Sequence, residues 1–138
     1  GALVAAARDL LRNPRVVLTP NARADLEAGV VDQRLVSLLA WVAERHTISI
    51  TVFKTGHSKF TQSGSVSLHY WGRAADVFFV DGLPVSSLNR RAKTLLLEIA
   101  QLQGAMRPNE LGHPFGSIGF AGGFSDFDHR DHLHIGFD

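Results

Sequence analysis

The chain has 138 residues, 45% of them hydrophobic and 20% charged, with a formal net charge of +1. That length and apolar content suit one globular domain with a core of its own, and the near-neutral, scattered charge excludes a nucleic-acid footprint or a polybasic membrane patch. Cysteine is absent, which excludes disulfides, thiolate metal sites and a cysteine nucleophile, so any metal must be held by imidazole and carboxylate.

Residues 2–12 read as a short amphipathic helix ended by Asn13-Pro14, because proline disfavours helical geometry in the residue before it. The charges in that opening stretch come too early for a signal peptide, and no apolar run approaches the roughly 20 residues of a membrane span, so no membrane insertion is expected. A chain that begins without Met is expected to be an excised domain or a mature product. "RVVLTP" predicts a short strand, residues 21–28 a helical turn or two closed by Gly29, and Asp32 an N-cap for the helix that follows. In that helix Leu35, Leu38, Leu39 and Val42 fall at i, i+3, i+4 and i+7, the apolar stripe of a surface helix.

"TISITVF" alternates, with Ile48, Ile50 and Val52 on one face, and predicts a half-buried strand. Residues 54–68 read as a loop. "AADVFFV" is apolar on both faces apart from Asp76 and suits a central strand, and "DGLP" turns the chain into a helix near 87–103 capped by Gly104. A long glycine-rich connection over 106–131 then leads to a last strand, "HLHIGFD". Too few strand-helix-strand units are present for a doubly wound sheet, so the expected class is α+β, with a small, mostly antiparallel sheet flanked by helices. Residues 1–30 read as a helical extension and 31–138 as the core of a single domain.

The chemistry gathers at two places. An ionised Asp76 inside an apolar strand is costly unless a cation or strong donors sit beside it, either Arg73 or Arg107 in a buried salt bridge or a metal ion. His69 lies seven residues earlier, a spacing that separates the two on a regular strand, and Gly72 supplies the turn that lets them converge. On the last strand His132 and His134 share a face, while Leu133, Ile135 and Phe137 take the other. Two imidazoles and one carboxylate make three protein ligands, the number typical of a catalytic zinc site. On spacing alone, a histidine-lined polar pocket without metal remains the alternative.

"SLHYWGRAAD", Ser67 to Asp76, fits the pattern S-x-H-x-x-G-x-A-x-D, and the closing "HLH" resembles a second motif that accompanies it. In both the chain resembles the zinc metallopeptidases that include D-alanyl-D-alanine carboxypeptidases and dipeptidases and phage L-alanyl-D-glutamate endolysins, whose fold the hedgehog signalling domain shares. The resemblance covers roughly residues 30–138. It implies that fold, a Zn²⁺ ion held by His69, Asp76 and His134, a hydrogen bond from Ser67 to a ligand, and peptidoglycan stem peptides as substrate. It also implies action outside the cytoplasmic membrane or on release from a phage-infected cell. A turn-forming role is the other reading of Ser67.

Hydrolysis in such a site needs a base for the attacking water and an acid for the departing amine. Where many members have Glu three residues before the last ligand, this chain has Asp131, and His132 matches the histidine of other members. Asp131 is expected as base with His132 stabilising the oxyanion, or the two roles are exchanged. A second departure is "TGHSK", Thr55 to Lys59, in place of a "SGYRS"-like motif, so that Ser58 stands where relatives carry Arg. His57 or Lys59 would then meet a substrate carboxylate, with Tyr70 and Trp71 lining the cleft; Lys59 reads equally as an exposed loop residue. The alternative function is a zinc-binding recognition module of the same fold without turnover.

Overall fold

A computed structural model describes residues 5–138 of the chain. The fold is α+β. Helix α1, Ala5–Arg12, covers the described part of the helix expected over 2–12; residues 2–4 of that expectation lie outside the described residues. Strand β1, Val16–Leu18, precedes α2, Pro20–Glu27, whose N-cap Thr19 accepts from the Ala22 amide. Helix α3, Gln33–Ala43, is capped by Asp32, which accepts from the Arg34 amide, and it buries Leu35, Leu38, Leu39 and Val42 as its stripe requires.

Strands β2, Ile48–Val52, and β3, Ala74–Val80, come next, then a two-residue β4, Leu83–Pro84, and α4, Arg90–Ala100. Helix α4 stops before the expected Gly104 because Gln101 already caps it, its amide donating to the Leu97 and Ile99 carbonyls; Gly104 opens a separate 3-10 turn. The glycine-rich stretch is more ordered than its composition suggests. It holds β5, Glu110–Gly112, and β6, Gly123–Phe124, before β7, Leu133–Gly136, closes the chain.

The strands form one sheet in the order β1-β2-β3-β7-β5-β6, with β4 paired to the far end of β3. The sheet is mixed: the β1–β2 and β5–β6 pairs are parallel and the others antiparallel. Residues 5–30 are woven into this body, since β1 is its edge strand and Ala7, Leu10, Ala22 and Leu26 are buried in the shared core. Strand β3 lies between β2 and β7, the central place its apolar run predicts. Ala75, Val77, Leu111, Leu133 and Ile135 enter the same apolar cluster as the helices. By the two-residue period of a strand, Asp76, His134, Glu110 and Gly112 therefore look out from the opposite face. Among the described residues no helix is long and apolar enough to cross a membrane.

Candidate metal centre

Ser67 begins a 3-10 turn, Leu68–Trp71, and its Oγ accepts from the His69 amide at 3.2 Å. The hydroxyl thus fixes the backbone of His69 and leaves the imidazole to other partners. Gly72 ends the turn at φ +71°, where a Cβ would lie 2.0 Å from the Val30 carbonyl oxygen. Only glycine fits there. Its own carbonyl accepts from the Asp32 amide at 2.8 Å, tying the turn to the start of α3. The reversal folds His69 back over β3, so that residues seven apart meet, with Nε2 of His69 3.0 Å from Oδ1 of Asp76.

The register of β3 and β7 supplies the next group. Asp76 pairs directly with His134, and Nδ1 of His134 lies 3.4 Å from the same carboxylate oxygen. Nε2 of His132 is 3.9 Å from it. Neither Arg73 nor Arg107 pairs with Asp76: Arg107 donates to the carbonyls of Ala100, Pro108 and Ala121, and Asp76's ion-pair partners among the described residues are histidines. His69, Asp76 and His134 are all buried, at 1%, 6% and 8% exposure.

Burial alone would raise the Asp76 carboxyl, but hydrogen bonds from His134 and His69 outweigh it and hold the group far below the usual carboxylate range. For His134, burial opposes the imidazolium, and the bonds to Asp76 and Glu110 prevail, raising its pKa to about 9. Nδ1 of His69 donates to the Phe53 carbonyl at 2.6 Å, which turns its Nε2 toward Asp76 and the interior of the cluster.

His57 joins from the loop after β2. Its ring stacks on His69 with centroids 4.0 Å apart, and its Nδ1 donates to the Ser58 carbonyl. Burial lowers its pKa, favouring the neutral, ligand-competent form. One ligand atom each from His57, His69 and Asp76 lies within 4.8 Å of the others, a group that could hold a metal ion. His134 stands outside this closest trio but shares Asp76 with it. The buried Asp25 anchors the loop's start, accepting from the Lys54 and Thr55 amides and the Thr55 hydroxyl.

The cluster floors a cavity of about 610 Å³, walled by the 57–68 segment on one side and by Phe124, Asp126 and His129 on the other. His57 and Ser58 line it; Lys59, Tyr70 and Trp71 do not. Nζ of Lys59 lies 4.8 Å from the centre of the Tyr70 ring, and Trp71 is 54% exposed. Asp131 is also outside the lining, its carboxylate accepting from Nδ1 of His132 at 2.8 Å. His132, held by that bond and stacked on Phe78 at 4.7 Å, presents its Nε2 to the cluster.

Two residues of the glycine-rich stretch that the sequence does not single out, Glu110 and His129, also reach the cluster. The His129 ring lies 4.8 Å from that of His132, and Glu110 accepts from Nε2 of His134 at 2.8 Å. No motif marks either residue, because each is placed by short elements inside the glycine-rich stretch. His113, also unassigned, is buried beside Phe115 and Phe120 and accepts from the Phe115 amide. No family model, curated protein or solved structure matches this chain.

Proposed function

We propose that the cluster is the zinc site of a peptidase, with the fold and chemistry of the D-alanyl-D-alanine metallopeptidases that its motifs resemble. The substrate class is short peptides containing D-amino acids, most simply peptidoglycan stem peptides, met at the bacterial wall. The observation that carries the reading is Asp76, a buried carboxylate ringed by His69, His132 and His134 at the floor of an open cavity. A core has no use for such a set, whereas imidazole nitrogen with carboxylate oxygen is the donor chemistry zinc takes when thiolates are absent.

His69, Asp76 and His134 would hold the ion, with His57 beside His69 as a further donor. Zinc supplies Lewis acidity toward the scissile carbonyl. The proton work falls to this chain's own side chains. Asp131 fixes the proton of His132 on Nδ1, so Nε2 carries the lone pair at the cavity floor. This geometry favours His132 as the base that takes a proton from the attacking water and returns it to the departing amine, with Asp131 orienting it from behind.

The test is incubation of the zinc-loaded chain with purified sacculi and stem peptides, reading new amino termini by mass spectrometry. Cleavage that disappears in His132→Ala, with zinc retained, is the expected result. Intact substrates with the zinc-loaded wild type would overturn the peptidase reading. The zinc-binding recognition module is favoured by one observation, that Asp131, at the position of the relatives' Glu, lies outside the cavity; it predicts zinc and ligand binding without turnover.

A further inference from the structure

The antiparallel register of β5 and β7 pairs Glu110 with Gly136 and Gly112 with His134. Glu110 is therefore diagonal to His134 on the same sheet face, a separation that a long side chain can span. Gly136 leaves that path open. A Cβ there would lie 3.2 Å from Nε2 of His134, 3.3 Å from Oε1 of Glu110 and 2.8 Å from Cδ1 of Leu68. Gly112, directly across from His134, is likewise bare, and a Cβ on it would meet the rings of Phe124 and His129 at 2.8 and 2.9 Å. Two residues without side chains thus flank a carboxylate-imidazole hydrogen bond of 2.8 Å.

We infer that Glu110 is a positioning residue for the metal centre. Its carboxylate holds the proton of His134 on Nε2 and so delivers Nδ1, the nitrogen facing Asp76, as the donor to the ion. The inference rests on the zinc reading above and adds to it a residue that no motif contains. An imidazole has two nitrogens, and the hydrogen bond made by one decides which is free for a metal. His69 is fixed in the opposite sense, with Nδ1 donating to the Phe53 carbonyl and Nε2 facing Asp76. The two rings approach one carboxylate oxygen through different nitrogens, so each requires its own partner. Gly136 preserves the space in which the Glu110 bond forms.

The experiment measures zinc affinity by competition with a chromogenic chelator for wild type, Glu110→Gln, Glu110→Ala and Gly136→Ala, with circular dichroism confirming that each is folded. Long-range ¹H–¹⁵N spectra of the zinc-loaded proteins report the protonated nitrogen of His134. Glu110→Ala is expected to weaken zinc binding about 10- to 100-fold and to remove the protected Nε2 proton signal. Glu110→Gln, whose amide oxygen still accepts, recovers much of both. Should Gly136→Ala disturb folding, the Glu110 pair decides alone. Equal zinc affinity and an unchanged His134 signal in Glu110→Ala would overturn this inference while leaving the zinc site standing. A wild type that takes up no zinc would overturn both.

Discussion

A carboxylate at 6% exposure in the middle of an apolar strand needs compensation worth several kcal/mol, and Asp76 receives it from imidazoles where an arginine was the alternative. That distinction matters because a guanidinium would be a permanent partner, whereas imidazoles can exchange a proton for a metal. Asp76 is the anionic group that the histidines share, so Asp76→Ala should weaken zinc binding strongly even though imidazole donors remain. His132→Ala should leave zinc content intact and lower peptidase kcat by about 10²- to 10⁴-fold, the usual share of a general base. Asp131→Ala, acting only through His132, should cost less; an equal or larger loss, measured on the same peptide, would return the role of base to Asp131. The convergence of His69, Asp76, His132 and His134 was legible in the sequence because a strand period and a turn glycine dictate it. His57, by contrast, was expected at a substrate carboxylate and joins the metal-capable group instead. Glu110 and His129 were not legible, since their placement depends on pairings between short strands that composition does not announce.

Two elements set the geometry, and each has a weak point that can be probed. The 3-10 turn before β3 depends on Gly72, where any Cβ would sit 2.0 Å from the Val30 oxygen. Gly72→Ala should destabilise the fold by at least about 2 kcal/mol in urea unfolding and shift His69 away from Asp76, lowering zinc affinity as well. Far from the centre, His46 follows α3 and bridges the β3–β4 turn to α4, with Nδ1 and Nε2 each 2.8 Å from a carboxylate oxygen, of Asp81 and Glu98 respectively. Burial opposes its charge, but these bonds outweigh that and raise its pKa above the ordinary 6.5. A raised folded-state value means that the protonated bridge contributes fully below about pH 6.5 and that its contribution fades as pH rises through the folded-state value. The stability gap between wild type and His46→Gln should thus be about 1–3 kcal/mol at pH 6 and narrower at pH 9. A gap that widens with pH would contradict this assignment. The two carboxylate partners of His46 lie 35 and 52 residues away in the chain, which no local pattern reveals.

At the scale of the whole molecule, one sheet separates two tasks. Its apolar face and the helices make the core, and its other face carries the histidines and carboxylates beneath a cavity of about 610 Å³. The helices, the central strand and the two-faced last strand were readable because their apolar periods are long or regular. The mixed pairing, the short strands β4, β5 and β6, and the incorporation of residues 5–30 were not, because two- and three-residue strands have no period and parallel pairing joins distant segments. The His57, His69 and Asp76 group could hold a metal ion, and the proposed centre is anchored on Asp76. The most direct test is elemental mass spectrometry of untagged protein, loaded with zinc and freed of excess, for wild type, His134→Ala and Asp76→Ala. About one zinc per chain in wild type, lost or strongly reduced in both Asp76→Ala and His134→Ala, is the predicted result. A wild type without zinc, or an Asp76→Ala protein that retains it in full, would contradict the account.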